Sequence, residues 1–350
     1  MHPCKNRPVY LRAAALISAA GEHCADLLGP APVAQPLAFD PNRLGHVLAP
    51  ITLASKVFDR RISRGLEPQG LRILHCADAL AEALEALQVP AARRVLTAAI
   101  PEVDGPSTSW DAVEAIIDQP QRLLEQFMAH TPPMHALTLL NSSVMAYLAQ
   151  GLGIRGAMGG FCSQANAGID ALAEACSQLS EGQGDAALVV GSSPNITPAL
   201  YLRETDLTLR VHGEGAAALL LDCQGDADSL RIAGIGRGYS HDPARALQVA
   251  QRVIDQALRA ERLTLGDIGR VVVDSHDSLI RQWLDADVRL VDGIAGLIGD
   301  LGAAQPLGEA ALALYRQRSG GTADHTLLLE RSRAGHWGAV LLVAPHKEVA

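Results

Sequence analysis

Cys162 is the residue of this chain best placed to do chemistry. A glycine-rich approach, Gly151 to Phe161, ends at it, and a segment with helically spaced apolar residues runs from there to Cys176. A thiol at that junction meets the positive end of the helix dipole, which favours thiolate over thiol. Such a sulfur can attack a thioester carbonyl and hold the acyl group covalently. The plainer reading is a small apolar side chain in a core, the common fate of a free cysteine. His276 is the second residue of interest. It lies in the run Ser275 to Ser278, just past the apolar stretch Val271 to Asp274. Functional groups gather at strand carboxyl ends in α/β proteins. Its plainer reading is a polar residue that ends a strand.

The composition bounds what these residues serve. The 350 residues are 48% hydrophobic and 19% charged, ordinary for a soluble globular protein with a large core. That length allows two domains or one composite domain. A net charge of −9 argues against a nucleic-acid surface. Lys5, Lys56 and Lys347 are the only lysines, so none lies between 57 and 346. The six cysteines, at 4, 24, 76, 162, 176 and 223, form no CxxC or CxxH pair. That spacing disfavours a zinc site or a disulfide framework and fits a reducing cytoplasm. Lys5, Arg7 and Arg12 precede the apolar run Ala13 to Ala20. The run is short and Arg12 abuts it, so it reads as a strand and loop rather than a signal peptide. No apolar stretch is long enough to span a bilayer.

The elements that position Cys162 and His276 alternate between strand and helix. Strands are expected at 8–19, 95–100, 185–191, 214–221, 230–235, 271–274, 326–330 and 339–343, all short apolar runs. Helices are expected at 70–88, 111–129, 136–152, 244–260 and 303–317, and over the segment after Cys162. Residues 26–65 are proline-rich and read as irregular, and 101–109 as a loop. The alternation predicts α/β sheets covered on both faces.

In this order the segments resemble the β-ketoacyl-acyl carrier protein synthases of the thiolase superfamily. Five places carry the likeness: the first strand and turn, Val9 to Gly21; the approach Gly153 to Cys162; the strand Asp185 to Ser193; the G-E-G-A turn at Gly213 to Ala216; and Leu301-Gly302-Ala303-Ala304 at a helix start. The likeness spans nearly the whole chain, each motif being weak alone and the order more specific. It implies a thiolase-like fold of two similar α/β halves in a five-layered α-β-α-β-α core. Residues 1–225 would form the ketosynthase-like half with Cys162, and 226–350 a shortened half with His276. Cys162 then aligns with the acyl-accepting cysteine and His276 with the first family histidine. No cofactor is implied. Acyl groups would arrive on the phosphopantetheine arm of an acyl carrier protein or on coenzyme A.

The departures bear most on function. The family's second histidine should lie just before Gly302, where the chain reads Ile298-Gly299-Asp300, and no histidine occurs from 277 to 324. The supporting lysine is also absent. The second histidine stabilises charge that develops during decarboxylation, so condensation should be slow without it. Three readings follow: a chain-length-factor-like partner of an active ketosynthase in fatty acid or polyketide biosynthesis, aryl polyenes among them; an acyltransferase using Cys162 and His276, with Asp300 or Asp277 orienting the imidazole; or an active synthase with altered catalytic residues. The last would use His336 in the glycine loop before Trp337. Helix 137–152 and strand 186–190 are apolar on nearly every side, which predicts a dimer, with itself or with a related ketosynthase.

Overall fold

The computed structural model describes residues 7–101, 109–131, 133, 141–162, 164–202, 211–274, 277–284, 288–321, 323–332 and 334–345. His276 therefore lies outside the described residues, as do 102–108 and 134–140 of the segments read above.

The strands are β1 (Tyr10–Ser18), β2 (Gln35–Leu37), β3 (Asp40–His46), β4 (Arg94–Ala99), β5 (Met158–Phe161), β6 (Ala186–Ser192), β7 (His212–Gly213), β8 (Gly215–Asp222), β9 (Leu230–Tyr239), β10 (Arg270–Val273), β11 (Leu290–Asp292), β12 (His325–Arg331) and β13 (His336–Val343). The helices that matter here are α1 (Pro68–Ala79), α2 (Ser109–Asp118), α3 (Leu123–His130), α4 (Asn141–Gly151), α5 (Gln164–Ser180), α6 (Ala246–Leu258), α7 (Ser278–Trp283) and α8 (Gln305–Arg318).

Ten strands form one continuous sheet in the order β11-β10-β12-β13-β9-β1-β8-β6-β4-β5. It is two copies of one pattern. In each half the third, second, fourth, fifth and first strands in chain order lie side by side. The fifth strand, β8 or β13, is antiparallel to both neighbours. The second strand, β4 or β10, is parallel to the strands beside it. The halves join where Tyr10 and Leu11 of β1 pair with Arg231 and Leu230 of β9.

Side-chain alternation along the strands sorts the core into three bodies. Ala187 and Val189 of β6, Leu219 and Leu221 of β8, and Val340 and Leu342 of β13 pack inward around α5 and α8. Their neighbours Leu188, Val190 and Leu220 pack outward beneath α1 and α4. Val271, Leu329, Ala339 and Leu341 pack outward beneath α6 and α7. The layers are thus helix, sheet, central helices, sheet, helix, as the resemblance implied. Both sheet faces are covered, which is why these strands read as unbroken apolar runs. Helix α6 buries Val249, Ala250, Val253, Ile254 and Ala257, a face at three- and four-residue spacing. Its backbone comes so close to β9 that a Cβ on Gly236 would sit 1.9 Å from the Val253 carbonyl oxygen.

Four expectations change. The strand 186–190 is central, paired on both sides and buried on both faces within one chain, so its apolarity gives no argument for a dimer. The expected helix 111–129 breaks at Gln119-Pro120 into α2 and α3, because proline lacks the N–H an interior turn needs. The glycine approach to Cys162 contains β5, which pairs in parallel with β4. Within 26–65 a hairpin, β2 and β3, joins β7 in a small second sheet.

Candidate functional site

Cys162 follows β5 directly and is exposed. The Ile100 N–H donates to the Phe161 carbonyl at 3.0 Å, which ties the residue before the thiol to the end of β4. Helix α5 begins at Gln164, so the sulfur-bearing residue sits at its amino end.

The first turns of α5 are where the two halves meet. The Asn166 amide donates to the Trp337 carbonyl at 3.4 Å, reaching the start of β13. A Cβ on Gly168 would sit 2.5 Å from the Ala303 carbonyl oxygen, so the 302–306 turn lies against the helix backbone. Ile169 lies over Gly338, where a Cβ would sit 2.2 Å from its side chain. The helix behind Cys162 is therefore clasped by β13 and by the turn that follows Asp300.

Asp300 stands just before that turn. Its N–H donates to the Val211 carbonyl at 2.9 Å and its carbonyl accepts from Gly213 at 3.0 Å, a bridge to the G-E-G-A segment. The Asp300 carboxylate accepts the Gly302 N–H at 2.8 Å, closing its own turn. The structure thus brings Asp300 to the segment that packs on the Cys162 helix.

Asp277 performs two tasks. Its carboxylate caps α7 by accepting the Ile280 N–H at 3.1 Å. It also lies 3.4 Å from the Arg331 guanidinium, which sits 5.2 Å from the centre of the buried Trp337 ring. The ends of β10 and β12 are thereby drawn to the start of β13. The His336 ring lies 4.8 Å from that of Tyr239, tilted by 45°, and the two residues are partners in the β13–β9 ladder.

Two buried acids escaped the sequence reading. Glu214, the glutamate of the G-E-G-A turn, pairs with buried Arg72 at 2.7 Å and accepts the N–H groups of Leu48 and Ile196. It pins α1, the end of β3 and the loop after β6 to one point. Glu309 is buried in α8, where it accepts the Ile294 N–H at 2.6 Å and the Gln305 amide at 3.0 Å. Gln305 accepts the Leu301 N–H in turn, at 3.2 Å. Burial pushes the Glu309 carboxyl up to about 7, and the nearby Asp274 adds to the rise. The available signal was a charged residue amid apolar positions of a helix, at Leu307, Ala310 and Ala311.

Among the described residues no three His, Cys, Asp or Glu side chains are grouped to hold a metal ion, and no helix is long and apolar enough to cross a membrane.

No protein-family model and no curated protein matches the chain. Solved structures do. A β-ketoacyl synthase from Burkholderia phymatum superposes with a TM-score of 0.76 at 14% identity, covering 97% of this chain and 100% of that one. The ishigamide ketosynthase/chain length factor gives 0.73 at 14% identity with the same coverages. A ketosynthase from a type II polyketide synthase, solved with its acyl carrier protein, gives 0.74 at 14% identity, again over 97% and 100%. These superpositions show the fold: this chain has the thiolase-like fold of the ketosynthases.

Proposed function

We propose that the protein is a non-condensing, chain-length-factor-like subunit that pairs with an active ketosynthase in fatty acid or polyketide biosynthesis. Aryl-polyene assembly is one such setting. The observation that carries this reading is Asp300. It ends the Ile298-Gly299-Asp300 run that stands where the resemblance would put the family's second histidine, and its carboxylate closes its own turn on Gly302. Decarboxylation of a malonyl thioester needs a donor beside the developing enolate, whereas a carboxylate there repels it. Partner binding has an open edge available, since β5 ends the sheet and Met158 on it is 57% exposed. An acyl carrier protein would be the second partner. Co-expression with a ketosynthase bearing the full catalytic set tests this. Stable copurification is expected, and separate elution of the two chains contradicts it.

A second reading rests on the exposed Cys162 at the amino end of α5. In it the thiolate takes an acyl group from a thioester, His276 accepts the thiol proton, and no condensation follows. Intact mass after exposure to an acyl thioester tests it. A single acyl adduct that is absent from Cys162→Ala is expected.

A further inference from the structure

We infer that the exposed apolar face of the α2–α3 hairpin docks an amphipathic helix of another protein, one whose apolar stripe is flanked by basic residues.

Six of the thirteen large apolar side chains exposed among the described residues lie between 113 and 128. Single exposed apolar residues are ordinary, but a crowd of them marks an interaction surface. In α3, Leu123 and Phe127 stand four apart, and so do Leu124 and Met128, which makes two adjoining rows along one side of the helix. Leu124 is 71% and Met128 69% exposed, and α3 has no buried residue. In α2, Val113 and Ile117 make a third row, and Ile117 is 70% exposed. The two helices pack on each other. The Gln119 side chain holds the turn between them by accepting from the Gln126 amide at 3.0 Å and from Arg122 at 3.1 Å. An eight-residue helix is too short to persist alone in water. An apolar cover on Leu123, Leu124, Phe127 and Met128 supplies what packing within the chain does not.

The charge beside these rows selects the occupant. Glu114 and Asp118 follow Val113 and Ile117 by one position each, and Asp111 stands seven before Asp118. A carboxylate row therefore runs along α2 beside its apolar row, and all three acids are exposed. The hairpin's one guanidinium, Arg122, is taken by Glu125. A partner helix with lysines or arginines beside its apolar stripe meets both kinds of row at once. A second copy of this chain would bring carboxylate row to carboxylate row, and its net charge of −9 opposes the approach further. The same charge disfavours an anionic lipid surface.

Calorimetric titration of the full chain with two synthetic amphipathic peptides, each of about five helical turns, tests the face. Both carry the same leucine stripe, one with a lysine rim and one with a glutamate rim. The lysine peptide should bind once with a Kd below about 100 μM, and the glutamate peptide at least about tenfold more weakly. The preference should shrink as salt rises from about 0.05 to 0.5 M. Leu124→Gln/Met128→Gln changes exposed positions only, so it should melt like the wild type and bind the lysine peptide at least about tenfold more weakly. Glu114→Gln/Asp118→Asn should still bind and lose most of the preference between the peptides. Equal binding of the two peptides by the wild type, no binding of either, or wild-type affinity in Leu124→Gln/Met128→Gln overturns the assignment. A wild-type dimer in sedimentation velocity that Leu124→Gln/Met128→Gln dissociates makes the occupant a second copy and overturns it. Flotation of the wild type, but not of that variant, with phosphatidylcholine vesicles makes the occupant a lipid surface and also overturns it.

Discussion

The Asn166 carboxamide donates to the Trp337 carbonyl across the junction of the two halves, so the helix that begins behind Cys162 is anchored by the opposite half. The Asn166 carbonyl oxygen is buried without a hydrogen-bond partner among the described residues. Asn166→Ala removes one buried hydrogen bond and one unmatched acceptor. The two effects offset, and a net loss of about 1 kcal/mol is expected in urea denaturation. A loss above about 3 kcal/mol would show that this contact holds far more of the junction than its geometry implies.

Glu214 and Arg72 carry larger stakes. Both are buried, and the carboxylate also holds two backbone N–H groups. Glu214→Ala strands the guanidinium and leaves those donors unmatched, which costs about 3–5 kcal/mol. Arg72→Met/Glu214→Leu should cost less than Glu214→Ala, since it buries no orphaned charge. Chemical denaturation of the three proteins checks the order, and a Glu214→Ala loss below about 1 kcal/mol contradicts it.

Glu309 makes stability depend on pH. Its folded pKa, about 7, lies above the ordinary carboxyl value of 4.5. The folded chain therefore holds a proton that the unfolded chain releases. The associated stability is full below about pH 4.5 and is lost as pH rises through 7, on the order of 3 kcal/mol in all. Glu309→Gln keeps the shape and removes the ionisation. Urea midpoints at pH 5, 6, 7 and 8 should fall for the wild type and stay nearly level for the variant. Parallel slopes for the two proteins would assign the pH dependence elsewhere.

Thiol reactivity should single out Cys162. Burial pushes the Cys24 thiol up to about 11 and the Cys176 thiol up to about 12, and raises those of Cys76 and Cys223. Cys162 is the exposed one among the described cysteines. Brief iodoacetamide treatment at pH 8, followed by peptide mapping, should label Cys162 at least about tenfold faster than Cys24, Cys76 or Cys176. Equal labelling of Cys176 and Cys162 contradicts the burial described here.

The fold was legible because the strands buried on both faces write their positions as continuous apolar runs. Ala186 to Val190, Gly215 to Leu221 and Ala339 to Val343 stand where those runs predict. The same runs carry no information about assembly, since apolarity on every side cannot distinguish a subunit interface from a central strand. Strand β5 was hidden because Met158-Gly159-Gly160-Phe161 has no β-branched residue and is held by its pairing with β4. Glu214 was hidden because its role depends on Arg72 and Leu48, which are distant in sequence. That the run Ile298-Gly299-Asp300 holds no histidine was legible from the sequence, but the closing of the Asp300 carboxylate on Gly302 required coordinates.

Carbon dioxide release from a malonyl thioester, measured on the isolated protein, tests the central claim most directly. On the reading proposed above, which leaves no donor beside the developing enolate, release should run at least about two to three orders of magnitude below that of a condensing enzyme with both histidines. A stoichiometric acyl adduct on Cys162 in the same preparation would show that the thiol is competent and that the missing step is decarboxylation. Rapid carbon dioxide release by the protein alone would contradict the account and identify an active condensing enzyme with a different catalytic set.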